Sequence, residues 1–135
     1  MKAFIDANLP IYLLVLKDEV VKPYRDLYLQ VIEEYDPFTD PLIIDEILWI
    51  CKRKYKIPYD LTSKFVEDSF LKVTSVLDIG EEDVVNTLKI LSNGELSKPS
   101  DALHLAVMRR EGISIIISED TEFDNVKGIK RIWLK

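Results

Sequence analysis

Short apolar runs alternate along this chain with longer segments whose apolar residues recur at helical spacing. Residues 2–6 (KAFID) predict a buried strand that ends in a carboxylate. Asn8 is placed to cap the helix that follows, with Pro10 in its first turn. Residues 9–16 are apolar on nearly every face, so this helix is deeply buried or lies in an interface. Further helices are predicted over 20–34, from Asp40 and Pro41 to about Lys54, and from Asp60 to about Leu71. The β-branched stretch 73–77 (VTSVL) predicts a strand and residues 81–91 a helix. Ser97 is placed to cap the next helix, which Gly112 stops. Residues 113–117 (ISIII) then read as a central parallel strand covered on both faces, and 129–134 as a last strand. Strands separated by helices imply parallel pairing through right-handed crossovers, hence a three-layer α/β/α architecture around a parallel sheet. The length, 135 residues, fits one domain over 1–135, with no repeat or linker.

Composition narrows the chemistry. With 47% hydrophobic and 31% charged residues the chain is too apolar to be disordered. Its longest apolar block, 11–16, is far short of the roughly 20 residues of a membrane helix. Asp6 and Asn8 interrupt the place where a signal peptide would carry its apolar core, so the expected compartment is the cytoplasm. One cysteine, Cys51, excludes an internal disulfide and a multi-cysteine zinc site, and one histidine, His104, excludes multi-histidine centres. Metal chemistry, if present, falls to carboxylates. The net charge of −6 argues against a general nucleic-acid surface, but four acids in one metal site would account for −4 and leave only −2. Two basic clusters, Lys52–Arg53–Lys54–Lys56 and Lys127–Lys130–Arg131–Lys135, then become relevant beside their simpler reading as solvated faces. A single glutamine, Gln30, among many Lys, Glu and Ile hints at a thermophilic source.

The acids fall where an open α/β sheet places its site, beyond the carboxyl ends of strands. Asp6 follows AFI, and Glu119 and Asp120 follow ISIIIS. On a helical wheel Glu46 is flanked by Leu42, Ile50 and Arg53, at the margin of an apolar face, whereas Asp45 points to water. A boundary pair with Arg53 is the simpler reading of Glu46. Asp101 lies with Leu105 and Met108 on an apolar stripe in the first turn of a helix that is apolar almost all round. A helix N-terminus favours an acid, but a buried carboxylate wants a counter-charge, and no lysine or arginine is apparent at helical spacing to supply it. A metal ion would. Ser100, Asp101 and His104 share one helix and lack the elbow and oxyanion donors of a serine hydrolase, so His104 reads as a core or boundary residue. Cys51 reads as inert core. A receiver domain would need paired acids at the first strand and a late lysine. A haloacid-dehalogenase-type phosphatase needs Asp–x–Asp, where this chain has Asn8 at the second acid.

Asp6–Ala7–Asn8, the helical Glu46, SDALHLAVMRREG and ISIIISEDTEFDNVKGIKRI, taken in order, resemble the PIN-domain family of metal-dependent nucleases, which includes VapC-like toxins of toxin–antitoxin pairs. The likeness spans the chain, strongest at its ends and resting on element order between 56 and 93. It implies a parallel sheet ordered 3-2-1-4-5, with a short second strand near 37–39 where the local pattern is silent. It also implies four site acids: Asp6, Glu46, Asp101 and Asp120. The last belongs to a Thr/Ser–x–Asp–x–x–Phe pattern matched by Ser118, Asp120 and Phe123. Among the clustered acids Asp120 ranks first, Glu122, reaching through water, second, and Asp124, placed to cap or pair with Lys127, third. Glu119 should point oppositely to Asp120.

The implied activity is RNA hydrolysis assisted by Mg²⁺ or Mn²⁺, the hard cations that oxygen ligands suit. Asp6, Asp101 and Asp120 would hold metal, and Glu46 would bind a second ion or position water. Asn8, Ser118 and Glu122 would support them. Implied partners are RNA, an antitoxin and a second copy of the chain, with the surplus apolar residues of segment 9–16 and the nearby Tyr24 and Tyr28 as the expected contact face. The alternatives are a PIN-fold RNA-binding or assembly module without turnover, or a stand-alone RNA-processing nuclease.

Overall fold

Five strands pair in one parallel sheet: β1 (Lys2–Ile5), β2 (Asp36–Thr39), β3 (Ser75–Val76), β4 (Ile115–Ile117) and β5 (Lys130–Ile132). Their order is β3-β2-β1-β4-β5 in this computed structural model, which describes residues 1–135. That is the order the resemblance implied. β1 and β4 lie side by side at the centre, with Phe4 opposite Ile116 and Ile5 opposite Ile117. Ala3, Phe4 and Ile5 are buried, as are all three isoleucines of β4, so helices must cover both faces of these strands. The helices are α1 (Asn8–Val15), α2 (Asp18–Glu34), α3 (Pro41–Arg53), α4 (Tyr59–Phe65), α6 (Glu81–Ser92) and α7 (Pro99–Arg110). Between α4 and α6 the chain runs through a π-helical stretch (Val66–Phe70) into a short α5 (Leu71–Val73). No helix is long and apolar enough to cross a membrane.

Several local expectations shift for identifiable reasons. Asn8 does not cap α1: Ala7 holds the cap position without a side-chain bond, and the Asn8 amide donates instead to Glu119 Oε2 at 3.0 Å. Ser97 does not cap α7, whose cap position is Lys98; its hydroxyl donates to Glu122 Oε2 at 2.8 Å and its N–H to Glu122 Oε1. β4 begins at Ile115 because the Ile113 N–H is used to close α7, donating to the Met108 carbonyl at 2.8 Å, with Gly112 at φ +69° making the turn. Val73 continues the helical run, which confines β3 to Ser75–Val76. Segment 9–16 is less of a surplus than its composition implied. Leu9 and Ile11 are buried, Tyr12 to Leu16 are half-buried, and Tyr12, Tyr24 and Trp133 pack into one aromatic cluster. Cys51 is buried and unpaired, as expected of core.

One buried pair joins the two helices that carry site acids. Asp40 caps α3, its Oδ1 accepting the Ile43 N–H at 3.1 Å, and its Oδ2 lies 2.6 Å from His104 Nδ1 on α7. Both residues are almost wholly shielded, at 0% and 1% exposure. The His104 ring also packs on Phe4, with centroids 5.3 Å apart. Burial alone would lower the imidazole pKa, but the Asp40 carboxylate outweighs it and raises it, favouring a charged pair. Asp40→Ala removes a cap, worth about 1 kcal/mol, and also orphans a buried histidine, so urea unfolding is expected to show a loss of about 3–5 kcal/mol. A loss no larger than that of a helix cap would contradict the pairing.

Candidate functional site

The carboxyl ends of β1 and β4 open side by side, and the Asp6 N–H donates to the Ile117 carbonyl at 3.0 Å, locking the two exits together. Asp6 is then held by its neighbours. Its Oδ1 accepts the Ala7 N–H at 2.9 Å and its Oδ2 accepts the Ser118 hydroxyl at 2.6 Å. Ser118 Oγ in turn accepts the Asp120 N–H at 3.0 Å, so one buried serine sets the relation between two site acids. Asp120 Oδ1 caps the 3₁₀ turn Thr121–Asn125 by accepting the Glu122 N–H at 2.9 Å, and Phe123 is fully buried, anchoring that turn as expected.

Asp101 enters from the first turn of α7 and is 7% exposed. Its Oδ2 is buried with no hydrogen-bond partner. Burial, then the nearby carboxylates of Asp120 and Asp6, push its pKa from 3.8 up to about 7. Glu46, half-buried on α3, is raised for the same reasons, burial first and the charge of Asp6 next. The pair with Arg53 that its wheel position allowed does not form, and Asp45 is exposed. For Asp120 burial would raise the pKa, but the Glu122 N–H, Asp101 and Lys98 together hold it below the usual carboxylate range. The four acids Asp6, Glu46, Asp101 and Asp120 thus share one electrostatic neighbourhood.

The other expected residues divide. Glu122 is spent on Ser97 and does not reach into the cluster. Asp124 forms a two-pronged pair with Arg131, at 3.0 and 3.1 Å, and not with Lys127; Arg131 also donates to the Ser118 carbonyl. Glu119 leaves on the α1 side, away from Asp120, and accepts from Asn8 and from the Tyr12 hydroxyl at 2.7 Å. Asn8 is therefore tied to Glu119 at the edge of the site.

Three partners escaped the sequence reading. Lys98 donates to Asp120 Oδ2 at 3.1 Å and faces Asp101. It stands three residues before Asp101, so the expectation that no cation is spaced to serve that acid fails. The signal was there to be read, at i−3 across Pro99. The other two are Asp40 and His104, a buried pair whose imidazole lies near Asp101 and Glu46. They are 64 residues apart, and no local pattern connects them.

No three His, Cys, Asp or Glu side chains stand in position to hold a metal ion without moving. The donor set nevertheless fits a hard divalent cation, because it is all carboxylate and because Asp101 keeps a buried oxygen that no protein donor meets.

A family model described as PIN domain matches residues 3–129, and the chain belongs to that family. Ribonuclease VapC13 of Mycobacterium tuberculosis is 30% identical to it over 131 residues, covering 95% of this chain and 97% of the relative. Among solved structures, the fold matches that of M. tuberculosis VapC20, a sarcin-ricin loop cleaving toxin, with a TM-score of 0.73 at 16% identity, covering 90% of this chain and 92% of that one. A toxin–antitoxin complex from Klebsiella pneumoniae gives 0.69 at 17% identity, covering 95% of each chain.

The Asp101 environment has a pH signature. With a native pKa near 7 against an unfolded value of 3.8, the stability it contributes is complete below about pH 4 and is lost as pH rises through 7. Without added metal, wild-type stability is expected to fall between pH 4 and pH 8. Asp101→Asn should flatten that fall and leave the protein about 1–3 kcal/mol more stable at pH 8. Urea unfolding at the two pH values reads this, and an Asp101→Asn protein less stable than wild type at pH 8 would contradict it.

Proposed function

We propose that this chain hydrolyses RNA phosphodiester bonds with Mg²⁺ or Mn²⁺, as the toxin of a toxin–antitoxin pair. The observation that carries the reading is the partnerless buried oxygen of Asp101 beside Asp6 and Asp120, at the edge where β1 and β4 exit the sheet. The kinship with ribonuclease VapC13 supports the choice of RNA, and the likeness to a toxin–antitoxin complex supports an antitoxin as partner. The protein would work in the cytoplasm as one domain over 1–135, and as a homodimer. Val84, Val85 and Leu88 of α6 are exposed apolar side chains, as are Val20 and Leu29 of α2, whereas those of α1 are buried or half-buried.

Asp6, Asp101 and Asp120 are the residues to hold the ion. Bound there, the divalent cation supplies charge to polarise a phosphodiester and to activate water at neutral pH. The chain's own groups do the rest. Ser118 and the Ala7 N–H fix the Asp6 carboxylate in one orientation, so little reorganisation accompanies the reaction. Glu46, with its raised pKa, is suited to position water and to take up its proton. Lys98 exchanges its contact with Asp120 for one with the negatively charged substrate, keeping a cation at the site throughout. His104 and Asp40 hold α7 and α3 in fixed relation beneath the acids.

The test is cleavage of single-stranded RNA with Mg²⁺, with Mn²⁺ and with EDTA. Wild type is expected to cut only with metal, and Asp6→Asn and Asp120→Asn should each lose about a hundredfold or more. Asp124→Asn should lose little, since that side chain is committed to Arg131. Cleavage that survives EDTA and the Asp6 change would overturn the mechanism. A larger loss from Asp124→Asn than from Asp120→Asn would put the wrong carboxylate in the site.

A further inference from the structure

Beside the carboxylates, between α1 and α3, lies an open cleft of about 520 Å³, within the range of about 300–1,000 Å³ that small-molecule sites span. Asn8 and Glu119 form its inner end, two and one residues from Asp6 and Asp120. Its long wall is the α3 face that continues from Glu46 through Ile50 to Arg53, at spacings of four and seven residues. Aromatic surface is presented by Tyr12, Trp49 and Tyr55, and Trp49 is 53% exposed although it is among the largest apolar side chains. At the mouth stand Arg53 and Lys54, neither in an ion pair with a carboxylate, and Lys54 lies 5.4 Å from the Tyr55 ring centroid. In a chain of net charge −6 this is a local concentration of uncommitted positive charge, part of the basic cluster 52–56.

We propose that this cleft is a subsite for one unstacked nucleotide of single-stranded RNA, its base lying among Trp49, Tyr12 and Tyr55 and its phosphate at Arg53 and Lys54. The subsite rests on the nuclease reading above and adds to it the part of the substrate that is recognised. Base–aromatic stacking with a positive rim is how single strands are held without a duplex to grip. The two cations disfavour a basic peptide arm in the same cleft and favour a phosphate.

The inner end also discriminates. Glu119 Oε2 accepts two hydrogen bonds, from Asn8 and Tyr12, which fix the carboxylate in place, while Oε1 accepts none. An oriented, acceptor-only oxygen matches a base with an exocyclic amino group, as in adenine, cytosine or guanine. Uracil offers an N–H flanked by two carbonyl oxygens, which a carboxylate repels. The nucleotide beside the cut is therefore one bearing an amino group, and uridine is disfavoured.

Binding and cleavage test this separately. In the Asp6→Asn background with EDTA, fluorescence anisotropy of labelled single-stranded hexanucleotides of A, C, G or U reads affinity without turnover. Oligo-U is expected to bind most weakly, and an RNA hairpin stem more weakly than the single strands. Trp49→Ala should weaken oligo-A binding about tenfold, with Trp49→Phe restoring most of it, and Arg53→Gln should weaken it further at low salt than at high salt. Glu119→Gln should erase the penalty against U. Both Trp49 and Arg53 are exposed, so these variants are expected to fold, and circular dichroism checks that they do. In the second arm, wild type, Trp49→Ala and Glu119→Gln with Mn²⁺ are given a random-sequence RNA pool, and the bases flanking the cuts are read. If wild type cuts nothing, the nuclease reading fails. If it cuts, but the Trp49 and Glu119 changes leave both affinity and flanking-base preference unchanged, the subsite is wrong and the nuclease reading stands. The subsite is equally wrong if Trp49→Ala abolishes binding of a synthetic antitoxin-type basic peptide while leaving the hexanucleotides untouched.

Discussion

Mutual repulsion among carboxylates gathered at one sheet edge governs this molecule. Asp101 is nearly buried, Glu46 is half-buried, and each feels the charge of Asp6. Such an arrangement costs stability unless a cation or a proton offsets it. The chain does this in part by itself, with Lys98 on Asp120 and the buried His104 nearby. Neither meets the buried oxygen of Asp101, and burial with the neighbouring carboxylates pushes the pKa of that carboxyl group up to about 7. Conflict between folding and a cluster of like charges is expected where function has shaped a site.

The surrounding fold keeps that cluster from relaxing. A parallel sheet with β1 and β4 adjacent puts two strand exits next to one another, and the Asp6–Ile117 backbone bond holds them there. Ser118 then acts on both sides, donating to Asp6 and accepting from Asp120. Behind it the Asp40–His104 pair ties the start of α3 to the first turns of α7, which are the elements that deliver Glu46 and Asp101. The cleft along α3 adds an aromatic and cationic counterpart to an otherwise acidic site.

Most of the frame was legible in the chain because it rests on local rules: apolar runs of strand length, Pro41 opening α3, Gly112 closing α7. β2 was not, since DPFT is short, carries a proline and shows no alternation; only its pairing with β1 and β3 makes it a strand. Asp6 and Asp101 stood out because a carboxylate on an apolar strand end or stripe contradicts its surroundings. The side-chain partners were illegible where they depend on long-range approach, as with Asp40 and His104, Ser97 and Glu122, or Asn8 and Glu119. Polar residues near a helix start were read as caps, and the fold instead used two of them to brace the site.

Thermal unfolding of EDTA-treated protein titrated with Mn²⁺ at pH 7 tests the central claim most directly, because an ion that binds only the native state must stabilise it by mass action. At a hundred times the dissociation constant the gain is about 2.7 kcal/mol. The account predicts a melting temperature that climbs with Mn²⁺ for wild type, and an Asp101→Asn protein that starts higher and does not climb. An equal rise in both proteins, or none in wild type, would show that the buried carboxylates are not arranged for a metal ion.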